Sequence, residues 1–395
     1  MTTYEQLKGA VSLASNTPGM PTGYGTQGML LAERLIRHGI KFASQSNYGL
    51  EGKQSILEIA GEKVPHYPRG LHQYSLDVIP SWAKDFETKH PDRKHALFTL
   101  YDVWVYNALK YDGPIVSWVP LDHITLPPMV REFLVRENVT PITMSPHGQR
   151  QLEAAGIPST YIPHAIDTKV YKPTPVLNGM TTKEYMGIPE DSFLVGMVAA
   201  NKANGAFHRK AFAENLLAFA LHQKQHPNSY LYIHTEPSKA YGGFNIPVLL
   251  QMVGIPKENV LLPDALMLRT GYPDETMAHF YSGMDVLLST SYGEGFGVPT
   301  VEAQACGTRV ITSNFAASMD LASEDSWKVD GQAFWDEAQS AFFTVPSVNG
   351  IVKALGEAQE APRGSSQVAI DFAKNFDVDY VWKWYWMPFL RGLFN

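Results

Sequence analysis

One cysteine, Cys306, is all the thiol chemistry this chain of 395 residues possesses. That excludes an intrachain disulfide and any zinc cage built from several cysteines. Basic residues are in deficit: 32 Lys+Arg against 39 Asp+Glu give a formal charge of −7. Nucleic acid and anionic lipid both reward the opposite sign, so no nucleic-acid partner is expected. No apolar run of about 18 residues exists to span a membrane. Met1–Ala10 carries Glu5 and Lys8 and no apolar stretch of signal-peptide length. Fixed short repeats and low-complexity tracts are absent as well. What remains is 45% hydrophobic and 18% charged, a globular composition. A chain this long suits two cores rather than one, in a reducing, cytoplasmic setting.

Short apolar runs alternate with helical patterns over most of the length, which predicts β-α units on parallel sheets. In the first half the runs are Val11–Ser15, Lys41–Ser46, Ala96–Tyr101, Ile115–Val119 and Pro141–Met144. Helical patterns cover Thr26–His38, Pro128–Glu137 and Pro146–Ala155, with Gly39 where a helix-ending glycine belongs. Tyr161–Pro163 reads as a last strand before Pro163, Pro173, Pro175 and Gly179 interrupt regular structure through Met180. Such a stretch between two series reads as an interdomain linker. The series restarts with Ser192–Ala200, then helix Lys210–Lys224, strand Tyr230–His234 and helix Asp274–Ser282. Strand Asp285–Ser289, helix Pro299–Cys306 and strand Thr308–Thr312 follow. Two consecutive doubly wound α/β domains are the simplest solution.

In such sheets ligands bind beyond the carboxyl ends of the strands, where helices begin. Two of these positions are rich in glycine. Gly23-Tyr24-Gly25-Thr26-Gln27-Gly28 formally matches G-x-G-x-x-G. A dinucleotide site wants the glycines directly after a strand and an acid at the end of the next one. Here Asn16–Thr22 intervenes, and the next strand ends near Ser44–Ser46 without an acid; Glu51 lies beyond. Three readings stand: a nicotinamide or flavin site, a plain turn into a helix, or a loop whose amides approach a phosphate or an acceptor. The second position is Ser291-Tyr292-Gly293-Glu294-Gly295-Phe296-Gly297-Val298-Pro299, continuing through Glu302 to Gly307-Thr308. Pro299 is well placed to open a helix. Glu294 precedes that helix and Glu302 sits within its first turns, eight positions on. Loop amides suit an anion, and carboxylates accept hydrogen bonds from vicinal hydroxyls.

This frame resembles the retaining GT-B glycosyltransferases, specifically glycosyltransferase family 4, whose signature pairs two glutamates across seven residues. The likeness extends upstream through Asp274-Glu275 and Tyr281–Val286 and downstream through Gly307–Ile311. It is also visible in Tyr161-Ile162-Pro163-His164-Ala165-Ile166-Asp167, where Ala165 replaces the usual glycine. The resemblance covers roughly residues 16–40 and 140–320. It implies two Rossmann-like doubly wound domains facing across a cleft, an acceptor-side domain over 1–170 and a nucleotide-sugar domain over 171–375. A C-terminal helix over 376–395 would cross back to the first domain.

The resemblance also implies roles. Arg209 and Lys210 match the basic pair that binds the diphosphate, while Asn201 stands where an arginine is frequent. Physics supports the pair independently, since cations at a helix's positive end lose about 0.3–1 kcal/mol unless an anion is present. Glu294 is the implied donor-sugar contact and Glu302 the implied ribose-hydroxyl acceptor. Gly295, Phe296, Gly297 and Val298 form the loop between them, and Gly23, Tyr24 and Gly25 form the loop on the other domain. A histidine near the transferred sugar matches His123, with Asp122 beside it as a sugar or acceptor contact; His164 and His208 are its rivals. The implied reaction is retaining, metal-independent transfer from a nucleotide-diphosphate-sugar donor to a hydroxyl acceptor, without a cofactor. Domain closure about the linker would exclude water. The acceptor is a glycan, lipid, small molecule or protein, and the donor base is UDP, GDP or ADP. A nucleotide-sugar epimerase would need extra acids, and a glycogen-type phosphorylase a pyridoxal lysine. A catalytically silent GT-B subunit that binds glycan or a partner is the alternative from another class, with Asn201 in its favour. The aromatic tail Tyr380–Phe389 suits either peripheral membrane contact or a helix packed on the first domain.

Overall fold

The computed structural model describes residues 4–48, 53–203, 207–240 and 242–395, so Met1–Thr3, Glu51 and residues 204–206 lie outside the description. The chain divides into two compact units. One runs to Ala165 and takes in 337–341 and Val378–Asn395; the other holds Ile166–Asp336 and Phe342–Asp377.

In the first unit, β1 (Gly9–Asn16) leads through Thr22 into α1 (Gly23–Arg37) and β2 (Lys41–Tyr48). Next come β3 (Ser55–Ile59), β4 (Glu62–Tyr67), α2 (Ile79–Thr88), β5 (Lys94–Leu100) and β6 (Ile115–Val119). The series ends with α3 (Pro128–Leu134), β7 (Val139–Thr143), α4 (Pro146–Ala154) and β8 (Thr160–Tyr161). The strands form one sheet in the order β3-β4-β2-β1-β5-β6-β7-β8. All neighbours are parallel except the β3–β4 hairpin. β1, β5 and β6 are buried almost throughout, as strands covered by helices on both faces must be.

α1 begins three residues before the periodicity placed it. Thr22 is its N-cap and accepts the Gly25 N–H at 3.0 Å. Gly23, Tyr24 and Gly25 are therefore the first helical turn and not a loop, which corrects the expectation. Gly25 is a packing residue, since a Cβ there would lie 2.5 Å from the Met20 carbonyl oxygen.

The second unit opens with a small hairpin, β9 (Val176–Leu177) and β10 (Met180–Thr181), and α5 (Thr182–Met186). β11 (Phe193–Val198), α6 (Phe212–Gln225), β12 (Ser229–His234), α7 (Ile246–Val253) and β13 (Val260–Leu261) follow. Then come α8 (Ala265–Thr270), α9 (Asp274–Gly283), β14 (Val286–Ser289), α10 (Val298–Ala305), β15 (Val310–Ser313) and β16 (Trp327–Val329). β17 (Gly331–Asp336) and β18 (Ala341–Pro346) pair with each other, ahead of α11 (Val348–Glu360) and α12 (Gln367–Ala373). The main sheet is parallel in the order β13-β12-β11-β14-β15-β16. Its core joins Phe193, Val195 and Met197 of β11 to Phe212, Leu216 and Phe219 of α6 and to Ile351 and Leu355 of α11.

The last residues, α13 (Val378–Val381), a π-helical segment (Trp382–Trp386) and α14 (Met387–Phe394), belong to the first unit. Trp386 is buried against Phe98 and Trp118, with ring centroids 6.2 and 4.9 Å away. The Trp382 indole N–H donates to His38 Nε2 at 2.8 Å. The opposite ring nitrogen lies 2.8 Å from the Glu5 carbonyl, a pattern that requires neutral His38 protonated on Nδ1. Burial lowers the pKa of His38 accordingly. Of the tail's aromatic residues, Trp384 and Tyr380 stay exposed. No helix among the described residues is long and apolar enough to cross a membrane.

Candidate functional site

The basic pair lies in a turn, not in the helix expected to start at Lys210. α6 begins at Phe212, after Ala211 in a left-handed conformation with φ 49°. Two neighbours hold that turn. Asn201, almost fully buried, donates through its amide nitrogen to the carbonyls of Glu236, Ser238 and Phe244, at 2.9, 3.2 and 2.8 Å. Its Oδ1 accepts from the Phe244 N–H at 2.8 Å and lies 3.0 Å from His208 Nε2. The Lys210 N–H donates to His208 Nδ1 at 3.3 Å, so the imidazole is a neutral strut between Asn201 and the basic pair. Burial, aided by the charges of Lys210 and Arg209, pulls the His208 pKa down to about 4. The expectation that Asn201 contacts a donor gives way to a structural role, because its side chain is occupied on both ends. His208 likewise is a support, and no rival to His123.

The turn meets the loop after β14. The Tyr292 N–H donates to the Arg209 carbonyl at 2.7 Å. Arg209 donates to the Gly293 carbonyl and lies 3.2 Å from Glu294 Oε2. Lys210 Nζ sits 2.5 Å from Glu294 Oε1. One carboxylate thus bridges two cations, and all three side chains are largely but not wholly buried, with relative exposures of 28%, 22% and 13%. The loop continues through buried Gly295 and Phe296, whose ring packs 5.6 Å from Phe376. Phe296 is a core anchor by its side chain and can serve a ligand only through its backbone. Gly297, at φ 113°, makes the left-handed bend from which Val298 and Pro299 start α10.

Glu302 stands one to two turns along α10 in a different group. Its Oε2 accepts from the Tyr281 hydroxyl at 2.9 Å, and Tyr171 lies against it. The Tyr171 hydroxyl donates to Asp274 Oδ1 at 3.1 Å. Burial raises the Glu302 carboxyl to a pKa of about 7; the Tyr281 hydrogen bond opposes this and the Asp274 charge adds to it. Asp274 shifts upward too, chiefly from burial. Tyr281, Tyr171 and Asp274 were outside the expected site, although Asp274 and Tyr281 lay in the stretch carrying the resemblance.

In the first unit, His123 Nδ1 is 2.7 Å from Asp122 Oδ1, and the pair follows β6 as the sequence placed it. His147 Nε2 lies 2.9 Å from the His123 carbonyl. His164 is buried with its ring 4.5 Å from that of Trp118, and burial drives its pKa down to about 3. Tyr24 is half-buried against Tyr101, ring centroids 5.4 Å apart. Gly23 is exposed, with nothing within 4 Å of a Cβ built on it. No three His, Cys, Asp or Glu side chains among the described residues are grouped to hold a metal ion.

Residues 256–334, which span Glu294 and Glu302, match the family model of the glycosyl transferases group 1. A stretch of 131 residues, 32% of this chain, is 28% identical to D-inositol 3-phosphate glycosyltransferase of Thermobifida fusca, covering 28% of that protein. A stretch of 132 residues, 33% of this chain, is 27% identical to the serotype-specific mannosyltransferase WbdA of Escherichia coli, covering 15% of WbdA. The chain thus matches well under a third of the length of either curated relative. Sucrose-phosphate synthase of Thermosynechococcus elongatus superposes with a TM-score of 0.68 at 17% identity, over 98% of this chain and 97% of that one. A likeness of that length shows the fold. Residues 256–334 carry the glycosyl transferases group 1 pattern, on a chain whose α/β fold, with two Rossmann-like doubly wound units, is that of the GT-B glycosyltransferases.

Proposed function

We propose that the protein is a retaining glycosyltransferase, moving a sugar from a nucleotide-diphosphate-sugar donor to a hydroxyl acceptor. The observation that carries this reading is the bridge from Glu294 to Arg209 and Lys210 beside the start of α10. Glycosyl transfer breaks the bond between the anomeric carbon and a phosphate oxygen. Negative charge grows on the diphosphate while the sugar becomes cation-like. Arg209 and Lys210, fixed by the Asn201–His208 strut, are suited to meet that charge without reorganising. With the cations on the diphosphate, Glu294 is released to the donor sugar, and Glu302 accepts from the ribose hydroxyls. The departing phosphate oxygen takes the acceptor's proton on the same face, which retains the configuration. His123, oriented by Asp122, polarises the sugar and forms no covalent bond. No divalent ion is given a part, because the two cations carry the charge.

The test is a thermal-shift screen across UDP, GDP and ADP sugars, since a ligand that binds only the folded state raises its stability. Donor hydrolysis and transfer are then measured with the stabilising donor. Lys210→Ala should lose about 10²–10³ in turnover, and Glu302→Ala should raise the donor KM. Wild-type turnover and donor affinity in both variants would overturn the site. Activity lost in a chelator and restored by a divalent ion would overturn metal independence. Asn201 favours a second reading, a binding subunit without turnover, because its occupied amide leaves two cations where the resemblance implies three. Nucleotide-sugar binding with no hydrolysis or transfer is the result that would select it.

A further inference from the structure

The strand order of the first unit reverses at β1, with β2 and β4 on one side and β5 to β8 on the other. The carboxyl ends of strands at such a reversal are where doubly wound sheets take ligands. Three amide side chains stand there: Asn16 closes β1, and Gln45 and Asn47 lie near the carboxyl end of β2. Gln45 pairs with Ala14 and so shares its face of the sheet. Asn47 reaches the same neighbourhood, because its amide donates at 2.8 Å to the Tyr106 hydroxyl, which in turn donates to the Ala14 carbonyl. The three are 8%, 1% and 5% exposed, in chain order.

Each has polar atoms left over. Asn16 donates to Thr22 Oγ1 at 2.9 Å, yet its Oδ1 accepts no hydrogen bond. The Oδ1 of Asn47 accepts none either, and Gln45 is unpartnered at both Oε1 and Nε2. Leaving such a group unsatisfied costs about 1–3 kcal/mol, so three at adjacent strand ends call for an explanation. Their sum is three acceptor oxygens and one NH₂ donor. Hydroxyl groups, which both donate and accept, answer that set. A phosphate or carboxylate, being acceptor-only, would set like partial charges against the three oxygens. The surroundings agree in sign: Asp102, just beyond β5, adds its field to the burial that raises the pKa of Tyr74 and Tyr106. Tyr101, between β5 and Asp102, carries Tyr24 and Tyr74 against its ring at 5.4 and 5.9 Å, apolar area for the carbon faces of a ring compound.

We propose that Asn16, Gln45 and Asn47 form a binding site for an uncharged, hydroxyl-rich molecule, a neutral sugar or polyol. In the transfer reaction proposed above it is the acceptor; that word alone rests on that reading. Gln45→Met keeps the length of the side chain and removes both unpartnered atoms. Saturation-transfer NMR on the full-length chain, with a nucleoside diphosphate present, would compare glucose, mannose, galactose, sucrose and myo-inositol with glucose 6-phosphate and myo-inositol 3-phosphate. We expect at least one neutral compound to bind and to lose tenfold or more in affinity in Gln45→Met. The variant's melting temperature should equal or exceed the wild type's. Asn16→Ala should weaken the same compound, a second check should Gln45→Met fail to fold. Binding by no neutral compound, preference for the phosphorylated forms, or neutral binding that both variants leave intact would overturn the proposal. So would a folded Gln45→Met with a lowered melting temperature, since that would mean the amide serves the fold. Donor hydrolysis is read separately: its absence with sugar binding intact would sink the transfer reading alone.

Discussion

At the scale of single residues, the charge argument from sequence gives Arg209 and Lys210 their anion from a bound diphosphate. Two cations ahead of a helix require an anion, and the chain itself provides one in Glu294. That pairing spans about 85 positions, and no local pattern encodes it. Glu302 yields a prediction of its own. Its pKa is raised from 4.5 to about 7, so across that interval the folded chain holds a proton that the unfolded chain has released. Stability from this residue is present at low pH and lost as pH climbs to 7, by up to about 1.4 kcal/mol per pH unit. The groups facing it, Tyr281, Tyr171, Asp274 and Cys306, are neutral there except Asp274, whose own upward shift has the same sign. Urea unfolding at pH 5 and pH 8 should show that loss in the wild type and a smaller one in Glu302→Gln.

At the scale of elements, the covered parallel strands were the readable part. β6 falls on the residues its apolar run marks, and β1, β5 and β11 lie within a few residues of theirs. The β3–β4 hairpin went unread because Pro65 sits inside β4, where proline ordinarily argues against a strand. α2 lies unmarked between the apolar runs Lys41–Ser46 and Ala96–Tyr101, and beyond Thr312 no periodic pattern marks an element before the tail. Helix starts were misjudged where the cap, not the apolar stripe, decides them. Thr22 draws α1 back to Gly23, and the left-handed Ala211 delays α6 to Phe212. The G-x-G-x-x-G match has its physical cause here. Gly25 is small because Met20 is close, so Gly25→Ala should cost about 1–3 kcal/mol in a denaturant titration. Gly23→Ala, with open space around it, should cost under about 1 kcal/mol in the same titration. Of the candidate site, Glu294 and Glu302 are legible from the glycine frame, and Arg209 and Lys210 only through the resemblance. Their supports are not, because Asn201, His208 and Tyr281 act through contacts that only the folded chain creates.

At the scale of the whole molecule, the first unit is assembled from distant parts of the chain, the residues up to Ala165 together with 337–341 and Val378–Asn395. Trp386 fills the space between Phe98 and Trp118, and losing a buried tryptophan costs about 3–5 kcal/mol. Trp386→Ala should therefore split urea unfolding into two transitions, the earlier one belonging to this unit. The second unit, by contrast, draws on a nearly continuous run of sequence, Ile166–Asp377 apart from residues 337–341. On a ribosome, which releases the amino end first, the order of completion is thus inverted. The domain that is begun first waits, with β5 and β6 lacking their cover, until Val378–Asn395 has emerged.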